Sequence, residues 1–277
     1  MSLAIIGGSG IYDIEGIEQI EKVDVKTPFG SISAPIIKFK LGNVEFYFLT
    51  RHGQGHRLNP SEVNYRANIY ALKKLGVKKI ISVSAVGSLR EEIRPGDIVL
   101  PDQFIDWTKG IRKRTFFENG VVGHVSVAEP VELILLNQIY EAASAKVKVH
   151  KGGNYICIEG PQFSTKAESH LYRKFGADII GMTNVPEAYL AKEAAIAYAT
   201  IALVTDYDCW SENTCSVEEI MSVLKENVKN AQAIVKNIIT NLKDTKYVAQ
   251  TANKHIVVTK DWTMNVKNEE AIKTILD

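Results

Sequence analysis

Three cysteines in 277 residues, with no CxxC pair and no secretory signal ahead of them, exclude a disulfide scaffold. Cys157, Cys209 and Cys215 are expected to be reduced thiols in a cytoplasmic protein. Neither sign of charge prevails. The 33 Lys+Arg against 32 Asp+Glu leave no global field to steer nucleic acid or coat an anionic membrane, so an anionic ligand must be held by local groups. No apolar run approaches the ~20 residues of a membrane span, the longest being Ala194–Val204. Met1–Ile6 has no basic flank and meets glycines at once, unlike a targeting segment. Internal repeats, low-complexity tracts and Pro/Gly/Ser-rich linkers are also missing, which points to one domain.

What is present is alternation. Short apolar runs at Leu3–Ile6, Phe46–Leu49, Lys79–Val83, Asp97–Leu100, Phe104–Ile105, Tyr155–Glu159, Ala177–Met182 and Ile201–Thr205 are expected strands. Helical periods are expected from Pro60-Ser61 to Gly76, over Val131–Ala145, after a Thr165/Glu168 capping box, and from Pro186 through an Ala-rich run. A last long helix follows a second box at Ser216 and Glu219, running to about Asn241. This order predicts a single α/β domain over residues 1–242, with a central, mainly parallel mixed sheet flanked by helices. Residues 243–277 form a tail with a candidate edge strand at His255–Thr259 and a short helix over Glu269–Leu276.

In such sheets ligands bind beyond the carboxyl ends of the strands. Four of those ends suit one oxyanion. Gly7-Gly8-Ser9-Gly10 offers backbone amides and a hydroxyl, but it is neither a Walker loop nor a complete GxGxxG, so a Rossmann dehydrogenase fails. Arg51-His52 adds a forked cation and an imidazole. Ser84-Ala85-Val86-Gly87-Ser88 repeats the small, hydroxyl-rich character, and Thr183 is a fourth hydroxyl. Each alone reads as a tight turn or solvated surface; together they point to phosphate.

Asp206 and Asp208, two apart at a strand end, should point to one side, and close carboxylates raise the pKa of one of them. A protonated Asp and an ionised Asp would match the N7 acceptor and N6 amino donor of adenine. A 6-oxopurine shows two acceptors there and asks for an amide instead. The competing readings, a metal site or a solvated turn, gain nothing from the six scattered histidines. His124 sits among small apolar residues and by itself reads as structural, and Val217, Ile220 and Met221 by themselves read as core. No Gly-x-Ser-x-Gly element signals covalent catalysis.

Several of these segments also carry a resemblance. Ile5-Ile6-Gly7-Gly8-Ser9-Gly10, Arg51-His52-Gly53, Asn64-Tyr65-Arg66-Ala67-Asn68, Gly87-Ser88-Leu89-Arg90-Glu91-Glu92, Pro95-Gly96-Asp97, Glu159-Gly160-Pro161-Gln162-Phe163-Ser164-Thr165-Lys166-Ala167-Glu168-Ser169, Gly181-Met182-Thr183-Asn184-Val185-Pro186-Glu187 and Thr205-Asp206-Tyr207-Asp208-Cys209-Trp210 follow in order between Leu3 and Leu242. Together they resemble the 5′-methylthioadenosine phosphorylases of the trimeric purine nucleoside phosphorylase superfamily. The resemblance implies phosphorolysis of methylthioadenosine to adenine and 5-methylthioribose 1-phosphate, with adenosine as a further substrate to test. It implies that Ser9, Arg51, His52, Ser84, Ala85 and Thr183 hold phosphate, with Ser9 and Ser84 where family members often have Thr. Met182 would lie against the ribose, Phe163 and Ser164 would flank the base, and Asp206 and Asp208 would bind its N7 and N6 edge, Asp206 as the catalytic acid. His124, Val217, Ile220 and Met221 would surround the 5′-methylthio group, partly from a neighbouring subunit, which implies a trimer or a dimer of trimers. No metal or organic cofactor is expected, because the inorganic phosphate co-substrate is both nucleophile and counter-charge; neither nucleic acid nor membrane is an expected partner. The rivals are a 6-oxopurine or methylthioinosine phosphorylase and a non-catalytic nucleoside-binding module.

Overall fold

The computed structural model describes residues 2–8, 10–11, 13–143, 147–212, 217–242, 256–260 and 269–277, without the side chains of 217–221. Eleven strands form one mixed sheet. The central strand is β5 (Lys79–Ser88), apolar and buried along most of its length. On one edge it pairs in parallel with β1 (Leu3–Gly7), which continues in parallel to β4 (Val44–Thr50). β3 (Ile36–Leu41) and β2 (Ile17–Val23) extend that side antiparallel. Further along the same edge β5 meets β10 (Ile179–Gly181) antiparallel, followed in parallel by β9 (Asn154–Ile158) and β7 (Gln103–Trp107). On its other edge β5 pairs in parallel with β11 (Ala197–Tyr207), which carries β6 (Ile98–Leu100) and β8 (Val149–Lys151).

Burial on both faces explains the unbroken apolar runs. Side chains alternate across a strand, so Leu3 and Ile5 join one core and Ala4 and Ile6 the other. The first core is covered by α2 (Leu133–Ala143) and α5 (Val217–Asn241), through residues such as Leu135, Ile139, Ile234 and Ile238. The second is covered by α1 (Tyr65–Lys74), α4 (Asn184–Glu193) and α6 (Glu269–Leu276). A nine-residue helix, α3 (Lys166–Lys174), begins at the expected Thr165/Glu168 capping box. Among the described residues, no helix is long and apolar enough to cross a membrane.

Three sequence expectations need correction. The helix expected from Pro60 starts at Tyr65, because the Asn59 side chain accepts from the Ser61 and Glu62 amides and holds a turn there, and Asn64 supplies the cap. The Ala-rich run is divided: α4 stops at Glu193, Ala195 takes a φ of 53°, and the alanines from 197 onward are strand, packed between neighbours on both edges and faces. Residues 84–88 are the end of β5, not a loop. The expected box at Ser216 lies outside the described residues.

Within the segment after residue 242, α6 packs Ala271, Ile272 and Ile275 into the same core as Ile69 and Leu72 of α1. A single bridge joins Val257 to Gly123. Ile275 is fully buried. Ile275→Ala should therefore lower the unfolding free energy by about 3 kcal/mol in urea denaturation; an unchanged midpoint would show that α6 contributes nothing to the core.

Candidate active site

β1 covers the β5 edge as far as Ser82, and β10 begins at Gly87, so residues 83–86 face no strand on that side. The sheet changes direction there, which is where an open α/β sheet admits a ligand. A cavity of about 960 Å³ occupies the gap. It gathers Arg51, His52, Ser84, Ala85, Met182, Thr183, Phe163, Ser164, Asp206 and Asp208, all anticipated from sequence. Ser9 lies outside the described residues, although Gly8 and Gly10 line the cavity. The side chains of Val217, Ile220 and Met221 are likewise outside them, while Leu224 and Val228, further along α5, do line it. His124 is not brought there by its own chain: it is exposed, and its N–H donates to the Ile256 carbonyl at 2.8 Å.

Arg51 is 2 % exposed and is held by protein on most sides. Nε and Nη2 donate to the two Glu187 oxygens at 2.7 and 2.8 Å, Nη2 also to Ser82 Oγ at 2.7 Å, and Nη1 to the Val83 carbonyl at 3.0 Å. A guanidinium has five N–H donors, so one, on Nη1, has no acceptor among the described residues and is open to a ligand. Burial works against its charge, but the Glu187 carboxylate outweighs burial and holds the pKa above the ordinary arginine value. Glu187, 1 % exposed, also accepts from Tyr198 Oη at 2.9 Å. Tyr198 in turn accepts from Asn184 Nδ2 at 3.0 Å, and Asn184 Oδ1 accepts from Ser84 Oγ at 3.2 Å. A buried polar chain thus runs from the cation to a hydroxyl in the cavity wall.

Two further groups face this end. Thr183 Oγ1 is buried without a hydrogen-bonding partner among the described residues, so a ligand oxygen would satisfy it. His52 Nδ1 lies 2.9 Å from the Leu58 carbonyl, which fixes the proton on Nδ1. Burial first, and then Arg51, lower the His52 pKa to about 4, so the ring is neutral at physiological pH.

At the other end a bulge in β11 between Val204 and Asp206 re-aims the strand as it leaves the sheet. A Cβ on Gly87 would meet Asp206 Oδ2 at 3.5 Å and Asp208 Cβ at 3.6 Å, which places both acids over this glycine. Burial raises the Asp206 pKa to about 6; the Thr205 hydroxyl, donating at 2.6 Å, opposes the rise, and the Asp208 charge adds less. The pKa of Asp206 is raised, but mainly by desolvation and not, as expected, by mutual repulsion. Asp208 is also raised by burial, and its Oδ2 has no partner among the described residues. Phe163 is 73 % exposed at the cavity rim, an aromatic face available to a planar ring.

Sequence reasoning missed the supports. Glu187 reads as an ordinary helix-start residue until the fold sets it against Arg51, 136 positions away. Arg112, in a stretch without periodicity, is 4 % exposed and donates to Glu159 Oε1 at 2.8 Å and to the carbonyls of Met182, Val185 and Glu159, each at 2.7 Å. It ties the end of β9, which leads to Phe163, to the Met182–Thr183 turn. No local signal in the sequence reveals either residue.

Residues 2–240 match the model of the phosphorylase superfamily. The chain is 50% identical over 278 residues to the S-methyl-5′-thioadenosine phosphorylase of Geobacter sulfurreducens, covering 99% of this chain and 97% of that one. It is 54% identical over 242 residues to the enzyme of that name from Hyperthermus butylicus, covering 87% and 88%. Among solved structures, a methylthioadenosine phosphorylase from an antarctic soil metagenomic library superposes with a TM-score of 0.93 at 48% identity, covering 100% and 99%. The Schistosoma mansoni methylthioadenosine phosphorylase in complex with adenine superposes with a TM-score of 0.83 at 35% identity, covering 100% and 97%.

Two outcomes follow from the buried charges. Glu187→Ala leaves the Arg51 charge buried and unpaired, and should cost about 3–5 kcal/mol in denaturant unfolding; a loss below about 1 kcal/mol would mean that Arg51 finds water or another partner. For Asp206, with an ordinary pKa of 3.8 raised to about 6, the folded state binds the proton more tightly than the unfolded state. The penalty for ionising it is absent below the unfolded value and is complete once the pH has risen through 6. The stability of Asp206→Asn relative to the parent should therefore increase by about 2 kcal/mol between pH 4.5 and 7.5. A difference that does not vary with pH would remove the raised pKa.

Proposed function

The chain belongs to the phosphorylase superfamily, and from that premise we propose that it cleaves S-methyl-5′-thioadenosine with inorganic phosphate, giving adenine and 5-methylthioribose 1-phosphate. The observation that carries this reading is a buried carboxyl near its own titration point, Asp206, in the same cavity as Arg51 and Thr183. Phosphate is held by Arg51, His52, Ser84, Ala85, Thr183 and Ser9. The ribose rests on Met182, and the base lies between Phe163 and Ser164 on one side and the two acids on the other.

As the glycosidic bond breaks, the sugar becomes cationic and the purine anionic. Protonated Asp206 gives its proton to N7 of the departing base, and phosphate beneath the sugar stabilises the cation and attacks C1′. The overall reaction balances: a nucleoside and hydrogen phosphate become a purine bearing an N–H and a sugar phosphate dianion, and the proton lost by hydrogen phosphate returns Asp206 to its acid form. Asp208 Oδ2, without a donor among the described residues, accepts from the 6-amino group; a 6-oxo group would set two acceptors against each other. The reading needs neither a metal nor an organic cofactor.

We also propose self-association as a trimer or a dimer of trimers. His124 is remote from its own cavity, exposed, and flanked by Val122 (49 % exposed) with Val258 (59 % exposed) nearby, a surface suited to reaching the 5′ end of a neighbour's site.

Phosphate-dependent release of adenine from methylthioadenosine, beside adenosine and hypoxanthine release from methylthioinosine, tests the reaction. Adenine release should require phosphate and exceed hypoxanthine release by about 100-fold in kcat/KM. Asp206→Asn should lower kcat by about 10²–10⁴. Faster hypoxanthine release would select the 6-oxopurine reading, product formation without phosphate would exclude phosphorolysis, and an unchanged rate would remove Asp206 as the acid.

A further inference from the structure

The phosphate end of the cavity presents acceptors as well as donors. His52 commits its Nδ1 proton to the Leu58 carbonyl at 2.9 Å, so the ring nitrogen left for a ligand, Nε2, carries a lone pair. The surroundings keep it that way: Arg51 adjoins it, and the His56 ring stacks on it with centroids 4.3 Å apart. Burial and Arg51 lower its proton affinity most and His56 adds to this, against upward pulls from the Leu58 carbonyl and Glu187.

Ser84 repeats the pattern. Its hydroxyl proton is committed to Asn184 Oδ1 at 3.2 Å, and Asn184 cannot turn its amide around, because Nδ2 already donates to Tyr198 Oη and to Thr200 Oγ1. Asn184 and Thr200 are 0 % exposed, so this orientation is set by the core and not by solvent. Ser84 Oγ is therefore left with lone pairs and no proton for a ligand. Against these two acceptors stand the single free Arg51 N–H and the Thr183 hydroxyl.

A fully deprotonated oxyanion has only acceptors and would meet His52 Nε2 and Ser84 Oγ with lone pairs facing lone pairs. An oxyanion that keeps one O–H gives its proton to one of them and removes that clash. We propose that this site selects the protonated oxyanion, reading the single P–OH of hydrogen phosphate through His52 Nε2, while Ser84 Oγ has no proton to give, and rejecting tetrahedral dianions that lack a proton. The proposal deepens the phosphorylase reading and rests on it, since it assumes that phosphate occupies this end of the cavity.

The test is a titration series at pH 7.5 with phosphate, arsenate, sulfate and monofluorophosphate. The first two keep an O–H and the last two have none, at nearly the same size and charge. Affinities are read by calorimetry or by the rise in Tm, and sulfate and monofluorophosphate are then run as inhibitors of phosphorolysis. Each should bind at least about tenfold more weakly than phosphate, because a buried acceptor left facing another acceptor is costly. Arsenate should fall within a few-fold of phosphate. His52→Ala should weaken phosphate by about tenfold and change sulfate by less than twofold. Equal affinities for sulfate and phosphate in the parent protein, or parallel losses of both in His52→Ala, would overturn the proposal. The parent series decides the question even if the variant does not fold. Selective binding without phosphate-dependent product would uphold the selectivity and overturn the phosphorylase reading instead.

Discussion

The pairing of Arg51 with Glu187 is the constraint on which the cavity depends. An arginine 2 % exposed persists only if its charge is matched, and Glu187 matches it with both oxygens at 2.7 and 2.8 Å. The pair fixes more than charge. It occupies most of the guanidinium donors, joins the end of β4 to α4, and orients Tyr198, Asn184 and finally Ser84 through one chain of hydrogen bonds. The anion end of the cavity is thus close to neutral and rigid before any ligand arrives. Recognition there depends on where individual protons lie more than on net positive charge.

Burial acts in the opposite sense at the base end. Among the described residues no cation pairs with Asp206, so desolvation holds its proton to about pH 6. One physical effect, the cost of a charge out of water, is cancelled by a counter-ion at one end and resolved by protonation at the other. Gly87 lies beneath both acids, and a side chain there would press on Ile180 Cγ2, which stands 3.1 Å from the position of a Cβ. Arg112 binds the two ends together by holding the Met182 and Glu159 carbonyls.

Strand runs, the Thr165/Glu168 cap and the polar strand ends are local, so they were legible in the sequence together with the residues they present to the cavity. Asp206 and Asp208 were legible as a pair because a two-residue spacing is enough to align them. The cause of the raised pKa was not, since burial belongs to the assembled fold. Glu187 and Arg112 were invisible for a similar reason: each acts through partners dozens of positions away. The start of α1 and the division of the Ala-rich run turned on competition that composition does not show, an Asn59 turn in one case and β5 pairing in the other. His124 is exposed in its own chain, and its role as read from the resemblance depends on a neighbour.

The central claim is that burial, and not the neighbouring acid, keeps Asp206 protonated near neutrality. Titrating the Asp206 carboxyl by carbon-13 NMR, in the parent protein and in Asp208→Asn, tests it most directly. The account predicts a midpoint near 6 in the parent that remains within about half a pH unit in the variant. A midpoint near the ordinary carboxyl value in the parent, or a fall to that value once Asp208 is neutralised, would contradict it.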